Sequence, residues 1–210
     1  MKLLVIADDV QKEVLRTGGL SNDIHIEWIS GTDQAVQKAT FDGCIDLLFE
    51  NSPERIQWLK KIQTPLVIVN AVTVTLEEIQ EDFVRINGWP IFLERPVVEA
   101  ACKNERIKEK AGAIISLLGK KAVWVMDITG FITPRIIACI INEAFISLEE
   151  NISSKEEIDT AMKLGTNYPY GPFEWGEKTG LKNIYALLAK LAVKQKRYEP
   201  AALLLKEAMV

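Results

Sequence analysis

Few side chains in this sequence of 210 residues could do chemistry, and their spacing narrows the choice further. A proton acceptor that works near neutral pH is usually an imidazole. The one histidine, His25, falls in the alternating run Ile24-His25-Ile26-Glu27-Trp28-Ile29, which reads as a half-buried strand with His25 on its polar face. Cys44, Cys102 and Cys139 are far apart, odd in number and set in apolar runs. That pattern predicts reduced, buried thiols of a cytoplasmic protein, and with one histidine it predicts no metal site. Two carboxylates, Asp8 and Asp9, follow directly on the first apolar run, where an aspartate caps the helix that comes next. No glycine-rich phosphate loop of the P-loop type is present.

These residues are positioned by two kinds of segment. Up to residue 126, short apolar runs alternate with amphipathic ones. Leu3–Ile6, Ile24–Ile29, Ile45–Phe49, Leu66–Val69 and Ala122–Val125 read as strands. Between them stand helix start signals: Ser52-Pro53, Thr75 with Glu78, and Asn104 opening a helix that Gly119 stops. Strands spaced by helices predict βαβ units and a mostly parallel sheet over 1–126. From 127 to 210 the pattern is helical. Thr133-Pro134 reads as a cap and first turn, and Ser154 with Glu157 opens a helix closed by Gly165. Further helices are expected around Ile184–Leu191 and Ala201–Met209. The stripe Ile136, Ile137, Ile140, Ile141, Ala144, Phe145, Leu148 is apolar over more than one face. It fits a central core helix, and equally a helix that also packs against a second chain.

Composition sets outer limits. The chain is 48% hydrophobic and 26% charged, with net charge −4. Disorder and fibrous folds are excluded, and an acidic chain without a Lys/Arg stripe predicts no nucleic-acid partner. No apolar stretch approaches the ~20 residues of a membrane span, and the opening MKLLVIADDV reads as a strand rather than a signal peptide.

Several ordered motifs in the second half carry a resemblance. Asp127-Ile128-Thr129-Gly130-Phe131-Ile132-Thr133-Pro134-Arg135 is followed by Asn142-Glu143-Ala144 and Ile158–Gly165. Tyr168-Pro169-Tyr170-Gly171-Pro172-Phe173-Glu174, Gly180-Leu181 and Arg197-Tyr198 with Pro200 complete the series. Over residues 122–208 the chain resembles the C-terminal helical domain of the 3-hydroxyacyl-CoA dehydrogenases, a family that includes 3-hydroxybutyryl-CoA dehydrogenase. The resemblance implies an α/β plus all-α protein: a shortened Rossmann-like domain at 1–126 and a helical dimerisation domain at 127–210. It implies an NAD-dependent oxidoreductase of fatty-acid metabolism, an acyl-CoA substrate in the cleft between the domains, and a homodimer joined through the C-terminal helices.

The first half departs from that family at the positions that matter. Ala7, Asp9 and Lys12 stand at the three fingerprint positions, with Asp8 between, so the loop has no glycine to admit a pyrophosphate. Ser30 stands where the ribose-binding acid is expected, with Asp33 a few residues late. Of the family's catalytic dyad, Glu99 falls on the glutamate and Asn87 on the histidine, and an amide is no base near pH 7. Pro134 replaces the substrate-binding asparagine, and Thr73 stands in the segment where the family has serines. The loop-and-helix insertion after the second strand is missing. The leading expectation is therefore a catalytically impaired relative, a pseudoenzyme keeping an acyl-CoA or small-ligand cleft. The alternatives are an active NAD-dependent dehydrogenase with non-standard site residues, and a structural dimeric partner subunit.

Overall fold

The computed structural model describes residues 1–32 and 35–209. Contacts divide the chain into two compact units, Met1–Phe131 and Ile132–Val210. Residues 127–131 pack with the first: Asp127 pairs with Arg85, and the Gly130 amide donates to the Val72 carbonyl at 2.8 Å.

In the first unit one sheet has the order β2-β1-β3-β4-β5-β6-β7. The strands are β1 Lys2–Ile6, β2 His25–Ile29, β3 Gly43–Asp46, β4 Val67–Asn70, β5 Val84–Ile86, β6 Val97–Ala101 and β7 Lys121–Trp124. All neighbours are parallel except β5 and β6. The apolar runs explain the layering. In β1, Leu3 and Val5 point into one core while Leu4 and Ile6 point into the other, and all four are fully buried. Each contributes about 1.5–3 kcal/mol of burial. Helices α1 (Asp9–Thr17) and α5 (Glu105–Leu117) cover the first face through Leu15, Ala111, Ile114 and Ile115. Helices α2 (Pro53–Lys60) and α3 (Leu76–Ile79) cover the other through Trp58, Leu59, Leu76 and Ile79. A further single turn, α4, spans Pro90–Leu93. Consecutive strands run outward from β1 in opposite directions, so the topological switch lies between β1 and β3. In open α/β sheets ligands bind beyond the carboxyl ends of the strands there.

Four details differ from expectation. β5 and β6 were not legible as strands: β5 has three residues centred on Arg85, and β6 reads Val-Val-Glu-Ala-Ala. The run Ile45–Phe49 stops being strand at Asp46, whose Oδ1 accepts the Leu48 amide at 3.1 Å and turns the chain. Thr133 is not a cap but the first residue of its helix, which follows Ile132 with Pro134 in the first turn. The helix expected to close at Gly165 runs to Thr166 and ends on left-handed Asn167 (φ 56°).

The second unit is helical: α6 Thr133–Glu149, α7 Lys155–Thr166, α8 Pro172–Thr179, α9 Leu181–Ala192 and α10 Ala202–Ala208. α6 contacts all four others. Ile137, Ala138, Ile141, Ala144 and Phe145 form its buried face, with Phe145 edge-on to Phe173 at 5.0 Å. The motif residues do specific structural work here. Asp159, 8% exposed, accepts the Phe173 and Glu174 amides at 2.8 and 3.2 Å and so caps α8 from α7. Gly171 is required by that approach, since a Cβ there would stand 2.3 Å from the Asp159 carboxyl carbon. Asn142 clamps the start of α10, donating to the Glu199 carbonyl at 3.0 Å and accepting the Ala201 amide at 2.8 Å. Among the described residues no helix is long and apolar enough to cross a membrane.

Candidate functional site

The turn after β1 is built by Asp8. Its carboxylate accepts the Gln11 amide at 2.7 Å, and Gln11 Oε1 accepts the Asp8 amide at 3.1 Å, a closed capping box at the start of α1. Ala7 donates to the Ile29 carbonyl at 3.0 Å, holding the turn against the end of β2. Asp9 points to solvent and pairs with Lys12 at 3.2 Å. A helix N-terminus is where a phosphate would rest. Here a carboxylate already uses it.

From that turn a polar network crosses the carboxyl ends of the strands. Buried Gln11 donates through Nε2 to the Leu47 carbonyl at 3.3 Å, and Asn70 at the end of β4 donates to the same carbonyl at 3.1 Å. Asn70 Oδ1 in turn accepts the Gly88 amide at 2.9 Å. A Cβ on Gly88 would stand 2.8 Å from the Asn70 side-chain carbonyl carbon, so no larger residue fits there unless Asn70 moves. The neighbouring residue is Asn87, directly after β5. Its backbone amide donates to the Glu99 carbonyl at 2.9 Å, and its Nδ2 donates to Glu99 Oε2 at 3.2 Å. Both side chains are buried, 2% and 9% exposed. The two residues expected to share the dyad positions are thus brought together across the β5–β6 pair.

Two charged clamps flank the network. Asp46 at the end of β3 receives Arg55 in a two-pronged pair at 2.7 and 2.7 Å. Burial pushes the Asp46 carboxyl above its ordinary range, and the Arg55 pair pulls the other way. On β5, fully buried Arg85 pairs with Asp127 and donates to the Ala71 and Val72 carbonyls. Burial lowers the Arg85 guanidinium from its ordinary value, with Asp127 opposing. Asp127 also accepts the Leu76 amide at 2.8 Å, so one carboxylate ties β5 to the start of α3. Sequence reasoning did not find these clamps. The signal available was a charged residue inside each apolar strand.

The remaining expected residues are elsewhere. Thr73 lies half-buried in the turn between β4 and α3. Pro134 is buried in the first turn of α6, where it has no amide proton to donate. His25 is exposed at the amino end of the edge strand β2, and Asn87 stands at the carboxyl end of β5, so His25 is no substitute base. Asp33 lies outside the described residues. Of the thiols only Cys44 is buried; Cys102 and Cys139 are half-buried, which corrects the expectation of three buried cysteines. Among the described residues no group of three metal-binding side chains occurs.

A doubly wound α/β unit is followed in one chain by an all-helical unit. Solved structures share it. (S)-3-Hydroxybutyryl-CoA dehydrogenase of Ralstonia eutropha superposes with TM-score 0.73 over 98% of this chain and 92% of its own, at 23% identity, which shows the fold. Residues 130–210 match the family described as 3-hydroxyacyl-CoA dehydrogenase, C-terminal domain. Among curated relatives, 3-hydroxyadipyl-CoA dehydrogenase of Escherichia coli is 37% identical over 116 residues, 54% of this chain and 24% of that one. A probable 3-hydroxybutyryl-CoA dehydrogenase of Bacillus subtilis is 31% identical over 123 residues, 58% of this chain and 43% of that one. The matched region thus spans about a quarter of the first relative and a little over two fifths of the second.

Proposed function

We propose that this chain is a 3-hydroxyacyl-CoA dehydrogenase-family protein that binds an acyl-CoA-type ligand without performing hydride transfer of its own. The observation that carries this reading is the Asn87–Glu99 pair. On this reading Glu99, buried and in hydrogen-bond contact with Asn87, orients an amide where the family's imidazole would stand. An amide does not accept a proton near neutral pH, so the hydroxyl of a 3-hydroxyacyl group meets no base here. The family's cofactor does not fit the turn in the usual pose either. The pyrophosphate of NAD would meet the Asp8 carboxylate at the α1 N-terminus, like charge against like, with no glycine to let the backbone approach.

The test is a titration of purified protein with NADH and acetoacetyl-CoA, followed at 340 nm, alongside thermal melts with each ligand alone. The expected outcome is no steady oxidation of NADH, no saturable NADH binding, and a melting temperature that rises with a CoA ester as RT ln(1 + [L]/Kd) requires. Turnover would refute the loss of chemistry; no response to any CoA ester would refute the ligand.

One observation favours a structural role alongside. On α6, Ile136 is 53% exposed, with half-buried Cys139 and Ile140 on the same side, between Arg135 and Glu143. Two copies of α6 run antiparallel would cover this apolar strip, the same patch on both chains, as an isologous contact requires. A homodimer through the helical unit is the expected state. Light scattering after gel filtration checks it: Ile136→Glu gives a monomer, and a monomeric wild type removes the reading.

A further inference from the structure

Between Glu177 and Glu199 the chain carries Lys178, Lys182, Lys190, Lys194, Lys196 and Arg197, and no carboxylate. The net charge of −4 conceals this run, so the expectation of a chain without a Lys/Arg stripe is corrected here. α9 lays the run out on one surface. Ile184, Leu187, Leu188 and Leu191 bury one side of the helix. Lys182, Ala186, Lys190 and Val193 stand at i, i+4, i+8 and i+11, and so share the opposite side. Lys194 and Lys196 continue it, exposed, into the turn that follows. Lys182, Lys194 and Lys196 form no ion pair among the described residues. Arg197 is turned onto Tyr198, to whose hydroxyl it donates at 2.6 Å.

The helix's own needs do not explain this. A helix C-terminus is served by a cation or two, but Lys182 sits in the first turn, the wrong end for the dipole. Nor does it explain Val193, 86% exposed in the midst of the charges. We infer that the outer face of α9 and the turn after it form a reversible docking surface for an anionic lipid bilayer. Clustered lysines on an exposed helix face are drawn to acidic headgroups, and their long stems let the ammonium groups lie at headgroup level while Val193 enters the boundary below. A nucleic-acid backbone would answer the charge and leave Val193 in water. A partner protein is anchored by aromatics or a recess, whereas this face offers Ala186, Val193 and lysine stems.

Co-sedimentation of the full chain with sucrose-loaded vesicles tests this. The protein pellets with phosphatidylcholine–phosphatidylserine vesicles at about 0.1 M salt, stays in solution with phosphatidylcholine alone, and is released at about 0.5 M salt. Lys194→Ala/Lys196→Ala lowers the partition by roughly 25-fold, each cation being worth about fivefold at an anionic surface. Lys103→Ala/Lys110→Ala, which removes the same charge from exposed positions of α5, leaves it within about twofold. Val193→Ser weakens binding by about threefold or more at unchanged charge. No binding to the acidic vesicles, equal losses in the two lysine pairs, or a Val193→Ser variant that binds like wild type overturns the inference. Tighter binding to a duplex oligonucleotide than to the vesicles, read by fluorescence anisotropy, overturns it as well and assigns the patch to a nucleic acid.

Discussion

Asp127→Ala separates a structural clamp from a surface ion pair. Asp127 meets Arg85, whose side chain is fully buried, and is itself 24% exposed. Removing it leaves a guanidinium inside the protein facing the carbonyls of Ala71 and Val72, with Glu78 as its remaining, weaker counter-charge. Breaking a buried pair from one side costs about 3–5 kcal/mol, and the partly wet aspartate places this case near 3. The Leu76 amide also loses its acceptor, adding about 1 kcal/mol at the start of α3. The sum, about 4 kcal/mol, corresponds to a melting temperature lower by roughly 15 °C for a unit of this size. Scanning calorimetry reads the transition of the α/β unit directly. Arg85→Met replaces the charge by an apolar chain of similar length and leaves Asp127 able to meet water, so it costs less. The double variant should fall short of the summed single losses by more than about 1 kcal/mol, the signature of coupled sites. An Asp127→Ala transition within about 2 °C of wild type would show that Arg85 is solvated or otherwise compensated, and the clamp argument would fail.

Other expectations follow from single contacts. Asp159→Ala uncaps α8, losing two amide bonds made by a buried carboxylate; the helical unit should lose about 2 kcal/mol in a denaturant melt, and a loss below about 0.5 would contradict the capping role. Glu174 is held below its ordinary value by Lys163, then by the Gly171 amide, so its stabilisation is present above about pH 4.5 and is lost as pH falls through the lowered value. Glu174→Gln should therefore destabilise at pH 7 and match wild type near pH 3; equal stability at both refutes it. Burial pushes all three thiols up, Cys44 is buried and Cys139 lies on the strip a second copy would cover, so a disulfide reagent on native protein should titrate Cys102 first and Cys44 only on unfolding.

The parts of the fold that could be read in advance are those where one force acts alone. β1 and β4 are uninterrupted apolar runs because both faces are buried, and Ser52-Pro53, Thr75 with Glu78, and Ser154 with Glu157 are caps satisfied within four residues. β5 and β6 were hidden because their stability is non-local. Arg85 is tolerable in a strand only because Asp127, 42 residues on, meets it, and Glu99 only because Asn87 lies across the next strand. The site was legible in the same uneven way. The resemblance singled out Asn87 and Glu99, which the fold brings together, but nothing in the sequence pointed to the bridge from Gln11 through the Leu47 carbonyl to Asn70. That bridge joins residues 11, 47 and 70, and no periodicity connects them.

The motifs that tie residues 130–210 to the 3-hydroxyacyl-CoA dehydrogenases are held in place by packing duties: Asp159 caps α8, Gly171 admits that carboxylate, and Asn142 fastens α10. None of these duties depends on a hydride being transferred. A chain can therefore keep every one of them whatever stands at the first turn or at residue 87, because all these contacts are made within the helical unit. The order of loss this allows is testable: Asn87→His alone, even with Glu99 in place to orient the ring, should restore no NADH oxidation, since the imidazole does nothing to reopen the turn at Ala7–Asp9. Turnover in that single variant would show that the turn was never the obstacle, and that one amide was all that separated this chain from its relatives.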